Sequence, residues 1–98
     1  MKWLEIIELR AAQMDQKILN HQVAMLLCET QFYSPINVYI NVRVETDWSI
    51  HLHHHSEQAD PRGSEFAIRL KEILKEYGIV NHSMWIDQAF NIKQQNDE

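Results

Sequence analysis

Isoleucine and valine fill every second position from Ile36 to Val44, alternating with Asn37, Tyr39, Asn41, Arg43 and Glu45. This period of two predicts a half-buried strand over residues 36–45. A second alternation follows in Ser49-Ile50-His51-Leu52-His53-His54-His55. It predicts a strand over residues 48–54 with Ile50 and Leu52 facing in and Ser49, His51 and His53 facing out. Opposed residues of an antiparallel pair share a face, so Val42 is expected opposite Ile50 or Leu52, with a three-residue loop around Thr46-Asp47. That register sets Asn41 or Arg43 opposite His51.

Elsewhere the spacing changes from two to three and four. Met14, Ile18, Leu19, Met25 and Leu26 predict a first helix over residues 12–28, and Tyr33-Ser34-Pro35 closes it. Phe66, Leu70, Ile73, Leu74 and Tyr77 predict a second helix, capped by Ser64 and stopped in the left-handed conformation at Gly78. Residues 3–9 form a buried strand whose inward face is ambiguous, because Ile6 and Ile7 are adjacent. Residues 79–86 form a last strand with Val80, His82, Met84 and Ile86 on one face. Asp60-Pro61-Arg62-Gly63 supplies the turn before the second helix. Residues 1–90 read as a single domain and residues 91–98 as a frayed tail.

Strand, helix, strand, strand, helix, strand is the split βαβ order of a ferredoxin-like α+β fold. Right-handed crossovers put both helices on one face of a four-stranded antiparallel sheet in spatial order four, one, three, two. The other face is left open, and a chain of 98 residues has a large surface for its core. A homodimer through that open face or through edge strands is therefore expected.

Composition narrows the classes. The hydrophobic fraction of 45% and charged fraction of 23% are ordinary for a globular protein. The formal charge of −5 with neutral histidines, and the absence of a basic stripe, argue against nucleic acid as a partner. Protonating all six histidines would carry the charge past neutrality, so mild acid changes this surface more than most. No run reaches the ~20 apolar residues of a membrane helix, and Glu5 and Glu8 interrupt the apolar start as no signal peptide would. Cys28 is the only cysteine, which excludes an intrachain disulfide and fits a reducing cytoplasm. It follows Leu26-Leu27 with no cation nearby in sequence and reads as a buried, inert thiol.

With this element order, residues 3–87 resemble the dimeric α/β-barrel superfamily, which includes antibiotic-biosynthesis monooxygenase-like and haem-degrading proteins. The resemblance implies a homodimer built by apposing two open sheet faces. The haem-degrading branch has an asparagine early in its first strand, where this chain reads Trp3-Leu4-Glu5-Ile6-Ile7. No haem or other cofactor is carried over. Val44-Glu45-Thr46-Asp47, His51-Leu52-His53 and Val80-Asn81-His82-Ser83-Met84-Trp85-Ile86 also resemble segments of small bacterial proteins.

The outward face is expected to gather Tyr39, Asn41, Arg43, His51, His53, Ser83 and Trp85, joined by Glu5 if the first strand turns it that way. In a small-molecule site on this face, His51 or His53 would move a proton and Arg43 would hold an anionic oxygen, with Tyr39, Asn41, Ser83 and Trp85 as ligand contacts. His51 and His53 lie ~6–7 Å apart along an extended strand, a spacing two ligands of one metal can share. His55, ~13 Å from His51, is too far to complete that set. A polar dimer seam uses the same residue types, so binding module or enzyme, structural interaction module and metal-binding protein all stay open. His82, in an aliphatic register, reads as a satisfied core or edge histidine, and Met14, Met25 and Met84 as core filling.

Overall fold

The computed structural model describes residues 1–11 and 15–88. Its elements are β1 (Lys2–Ala11), α1 (Gln16–Thr30), β2 (Ile36–Ile40), β3 (Asp47–His55), α2 (Glu65–Leu74) and β4 (Gly78–Ile86). The strands form one sheet in order β2-β3-β1-β4, with every neighbouring pair antiparallel. This is the ferredoxin-like arrangement expected from the element order. β1 is central, opposing Leu52 and Met84 with Glu5, and Ile50 and His82 with Ile7.

The inward face of β1 is now defined. Trp3, Glu5, Ile7, Leu9 and Ala11 are buried, and the core of Ile7, Leu9, Trp48, Ile50 and Leu52 is roofed by Leu19 and Leu26 of α1 and by Phe66, Leu70 and Leu74 of α2. Both helices lie on this face. The inward and outward faces of β3 fall as its alternation requires, with Trp48, Ile50 and Leu52 buried. Each helix starts on a side-chain cap: Asp15 Oδ1 accepts from Ile18 N at 2.9 Å, and Ser64 Oγ from Ala67 N at 3.2 Å.

Several expectations are corrected. β2 ends at Ile40, and Val38, not Val42, opposes Ile50. Parity is kept, but the pairing is displaced along β2 by four residues from the first of the two expected registers and by six from the second, so Asn37, and neither Asn41 nor Arg43, opposes His51. The cause is Asn41. Its N–H makes the final rung to Asp47 O, while its Oδ1 accepts from the backbone N–H groups of Arg43 and Val44 at 2.8 and 3.0 Å. An asparagine side chain that caps the following amides diverts the chain into a turn. Val42, 98% exposed, sits in that longer loop.

In α1 the buried positions are Leu19 and Leu26, with Val23 and Leu27 packed beside them. Met25 therefore faces outward at 49% exposure, and Cys28 is exposed, one turn position away from that stripe. The Met14 expectation and the tail expectation lie outside the described residues. α2 stops at Leu74, followed by turn bonds from Glu76 N to Ile73 O and Tyr77 N to Leu74 O. Gly78 is not a left-handed stop; it opens β4 beside Ala11, where a Cβ would run into the Arg10 carbonyl. The left-handed glycine is Gly63, at φ +88°.

Candidate functional site

Glu5 is fully buried in the middle of the core sheet. A carboxylate removed from water needs donors, since an unpaired buried charge is far costlier than a paired one. Three elements supply them. His54 Nε2 of β3 lies 2.5 Å from Oε1, His82 Nε2 of β4 lies 2.8 Å from Oε2, and the backbone N–H of Ser64 donates to both oxygens at 3.0 and 3.1 Å. Ser64 is also the N-cap of α2, so the carboxylate meets the electropositive start of that helix. A carboxylate that is ionised can only accept, so opposite it each Nε2 would carry the hydrogen and the lone pair of an uncharged ring would fall on Nδ1.

The cluster is closely packed on several sides. The His54 ring stacks on Trp3 with centroids 4.1 Å apart and meets the edge of Phe32 at 5.5 Å. Trp3 Nε1 donates to Ser56 Oγ at 2.9 Å, and Ser56 Oγ donates to Gln58 O at 2.6 Å. Gly63 passes so close that a Cβ would meet the Glu5 carboxylate and the His82 ring. The His82 expectation of a satisfied, core-facing histidine agrees with this geometry.

A cavity of about 760 Å³ opens where Lys2-Trp3-Leu4, His53-His54-His55 and Trp85-Ile86-Asp87 lie side by side, flanked by residues 33–35. Its wall combines Trp3, Tyr33 and Trp85 with His54, the outer member of the buried cluster. Volume and lining suit a small organic ligand.

The sequence-predicted residues are divided between two ends of the sheet. His53 and Trp85 line the large cavity; Tyr39 and Asn41 line a second, smaller one of about 380 Å³ with Glu8, Arg10 and Asp47. His51 and Ser83 flank Ile6 between them on the open face. Arg43 lies in the loop after β2 and is off the sheet. Each outward group already has a partner: His51 Nε2 with Ser49 Oγ at 2.9 Å, His53 Nε2 with Asn37 Oδ1 at 2.8 Å, and Trp85 Nε1 with Ser83 Oγ at 2.9 Å. Tyr39 leans on the His51 ring at 4.8 Å. Burial, and then the neighbouring His53, push His51 below its ordinary value of 6.5, while Glu8 pulls the other way. Among the described residues, no group of three or more His, Cys, Asp or Glu side chains is arranged to hold a metal.

From the sequence pattern, Glu5 has an undecided face and His54 has no role. The available signal was parity. His54 shares the register of Ile50 and Leu52, and His82 that of Val80, so two imidazoles point into one core and require a common acceptor.

No protein-family model matches the chain, and no curated protein matches it. Among solved structures, Rv0793 from Mycobacterium tuberculosis is similar at a TM-score of 0.59 with 13% identity, over 92% of this chain and 100% of that one. A formyltetrahydrofolate deformylase from Pseudomonas putida KT2440 is similar at 0.52 with 12% identity, over 89% of this chain and 29% of the deformylase. At such identities the likeness shows the fold alone.

Proposed function

We propose that this protein is a small-molecule-binding module that works as a homodimer in a reducing cytoplasm, with its ligand seated in the cavity walled by Trp3, His53, His54 and Trp85. The observation that carries this reading is that cavity, about 760 Å³ and lined by three aromatic side chains with a few polar groups among them. The occupant proposed for the open sheet face is a second copy of the chain. Leu4 and Ile6 form an apolar centre, and Ile79 and Trp85 on the neighbouring edge strand are 70% and 58% exposed. The charges around them, Lys2, Glu8, Arg10 and Asp47, are of both signs, so the face does not repel itself. Of the residues singled out from sequence, His53 and Trp85 serve as ligand contacts in this reading.

Tryptophan emission tests the binding reading directly, because Trp3 and Trp85 line the cavity and Trp48 is buried in the core. Titration with 1-anilinonaphthalene-8-sulfonate, a planar aromatic anion, is expected to quench emission saturably, and Trp85→Phe to remove much of the change. Unchanged emission would overturn it. Light scattering near pH 7.5 and pH 5.5 tests the dimer: a dimer at the higher pH that loosens at the lower agrees with histidines in the seam. A monomer at both contradicts the dimer and favours a seat for ligand on the single chain. Zinc calorimetry is expected to give no heat, since His51 and His53 each hold a separate partner; heat lost in the doubly substituted His51→Ala, His53→Ala protein would favour the metal-binding alternative.

A further inference from the structure

We infer that Glu5, His54 and His82 form a proton-transfer site, in which His54 is the base and Glu5 and His82 position it. The inference rests on the cavity being a ligand seat and adds the chemistry performed there. Glu5, His54 and His82 lie on the helix-covered side of the sheet, whereas the outward His53 lines the same cavity from the other side.

An effective general base must be fixed in orientation, hold a lone pair toward its substrate and be shielded from bulk water. His54 is packed on two sides and largely shielded, and we assign the lone pair to its Nδ1. Its Nε2 lies 2.5 Å from Glu5 Oε1, and with Nε2 as donor there, Nδ1 is the basic atom of the ring. Trp3 on one face and the edge of Phe32 restrict rotation of the ring. Its side chain is 9% exposed yet lines the cavity. Glu5 stabilises the imidazolium that forms when Nδ1 takes a proton, and is itself kept in place by His82 Nε2 and by Ser64 N–H. The other titratable or charged groups lining the cavity are Lys2, His53, His55, Tyr33 and Asp87. The substrate class that fits is a small planar molecule with an acidic C–H or O–H, stacked among Trp3, Tyr33 and Trp85.

A test reaction that needs only a positioned base is ring opening of 5-nitrobenzisoxazole. The C–H proton passes to His54 Nδ1, its electron pair forms the nitrile as the N–O bond breaks, and the oxygen leaves as a phenolate. The full chain is expected to show saturable turnover, reduced about 10²-fold in His54→Gln. Glu5→Gln is expected to lower kcat about tenfold or more with KM held within about twofold, the split that separates positioning from binding. His21→Gln, on the exposed side of α1, serves as the control. Tryptophan quenching by the same probe distinguishes the two readings. Quenching without turnover above an equal concentration of free imidazole overturns the proton-transfer site and leaves the ligand seat standing; neither quenching nor turnover overturns both. Should Glu5→Gln fail to fold, nitrogen NMR of the wild-type histidines decides: a neutral His54 carrying its hydrogen on Nε2, with ring signals that shift on binding the phenol product, supports the site, and a hydrogen on Nδ1 overturns it.

Discussion

The indole of Trp3 lies flat on the imidazole of His54, with planes 19° apart, and the two residues are directly opposed across β1 and β3. One ring pair thus joins the aromatic wall of the cavity to the buried Glu5. Trp3→Phe keeps an aromatic ring but loses the bond to Ser56 Oγ, an expected cost of about 1 kcal/mol. Trp3→Leu also removes the stacking and is expected to cost about 1 kcal/mol more. Urea unfolding of the two variants separates the contributions; equal midpoints would deny the stack any energetic role.

Gly63 allows α2 to begin against the buried carboxylate. At φ +88° a side chain is strained by about 1–3 kcal/mol whatever the space around it. Here an added methyl group also meets Glu5 and His82. Gly63→Ala is expected to lower the melting temperature markedly and to perturb the His82 ring resonances, which histidine NMR checks.

Removing the shared acceptor leaves two buried imidazoles and the Ser64 amide without it. Glu5→Ala is expected to destabilise the fold by about 3–5 kcal/mol, in the range found when one partner of a buried pair is deleted. Glu5→Leu with both His54→Leu and His82→Leu should recover part of that loss, because packed apolar groups replace a network that no longer needs satisfying. Denaturation curves of the single and triple variants test this; a triple variant no better than Glu5→Ala would contradict it.

His51 gives a pH dependence of definite sign. Its folded value lies below the unfolded 6.5, chiefly through burial, so the unfolded chain binds the extra proton first as the solution is acidified. This group takes nothing from stability above about pH 6.5, and progressively more as pH falls from there through the folded value. His51→Gln is therefore expected to lose less stability between neutral pH and pH 5 than the wild type. Denaturant midpoints at the two pH values measure it, and an equal or larger loss in the variant would refute it.

Much of the architecture was legible because alternation and helical spacing are strong along this chain. Ile50 and Leu52 faced the core and His51 and His53 faced out as the pattern required, and Ser64 capped its helix. The misreadings came from atoms that periodicity does not see. Val42 and Val44 continue the alternation of β2, yet the Asn41 side chain captures the next amides and ends the strand. Glu5 was obscured for a different reason: an acid flanked by Leu4 and Ile6 looks like the polar member of an alternating strand, and its inward direction depends on partners from β3, β4 and the α2 cap. That information is tertiary, and hydropathy cannot carry it.

The central place of β1 also shapes how the chain reaches its native state. As the first strand of the described fold, β1 pairs with His55 through Lys2 and with Ile86 through Trp3, so it must wait for the last strand of that fold before its second edge is closed. Contacts so distant along the chain slow folding, because long loops must be ordered before any pairing rewards them. During that interval the apolar strand centred on Ile6 and Ile7 has a bare edge, a period in which intermolecular pairing competes with the arrival of β4.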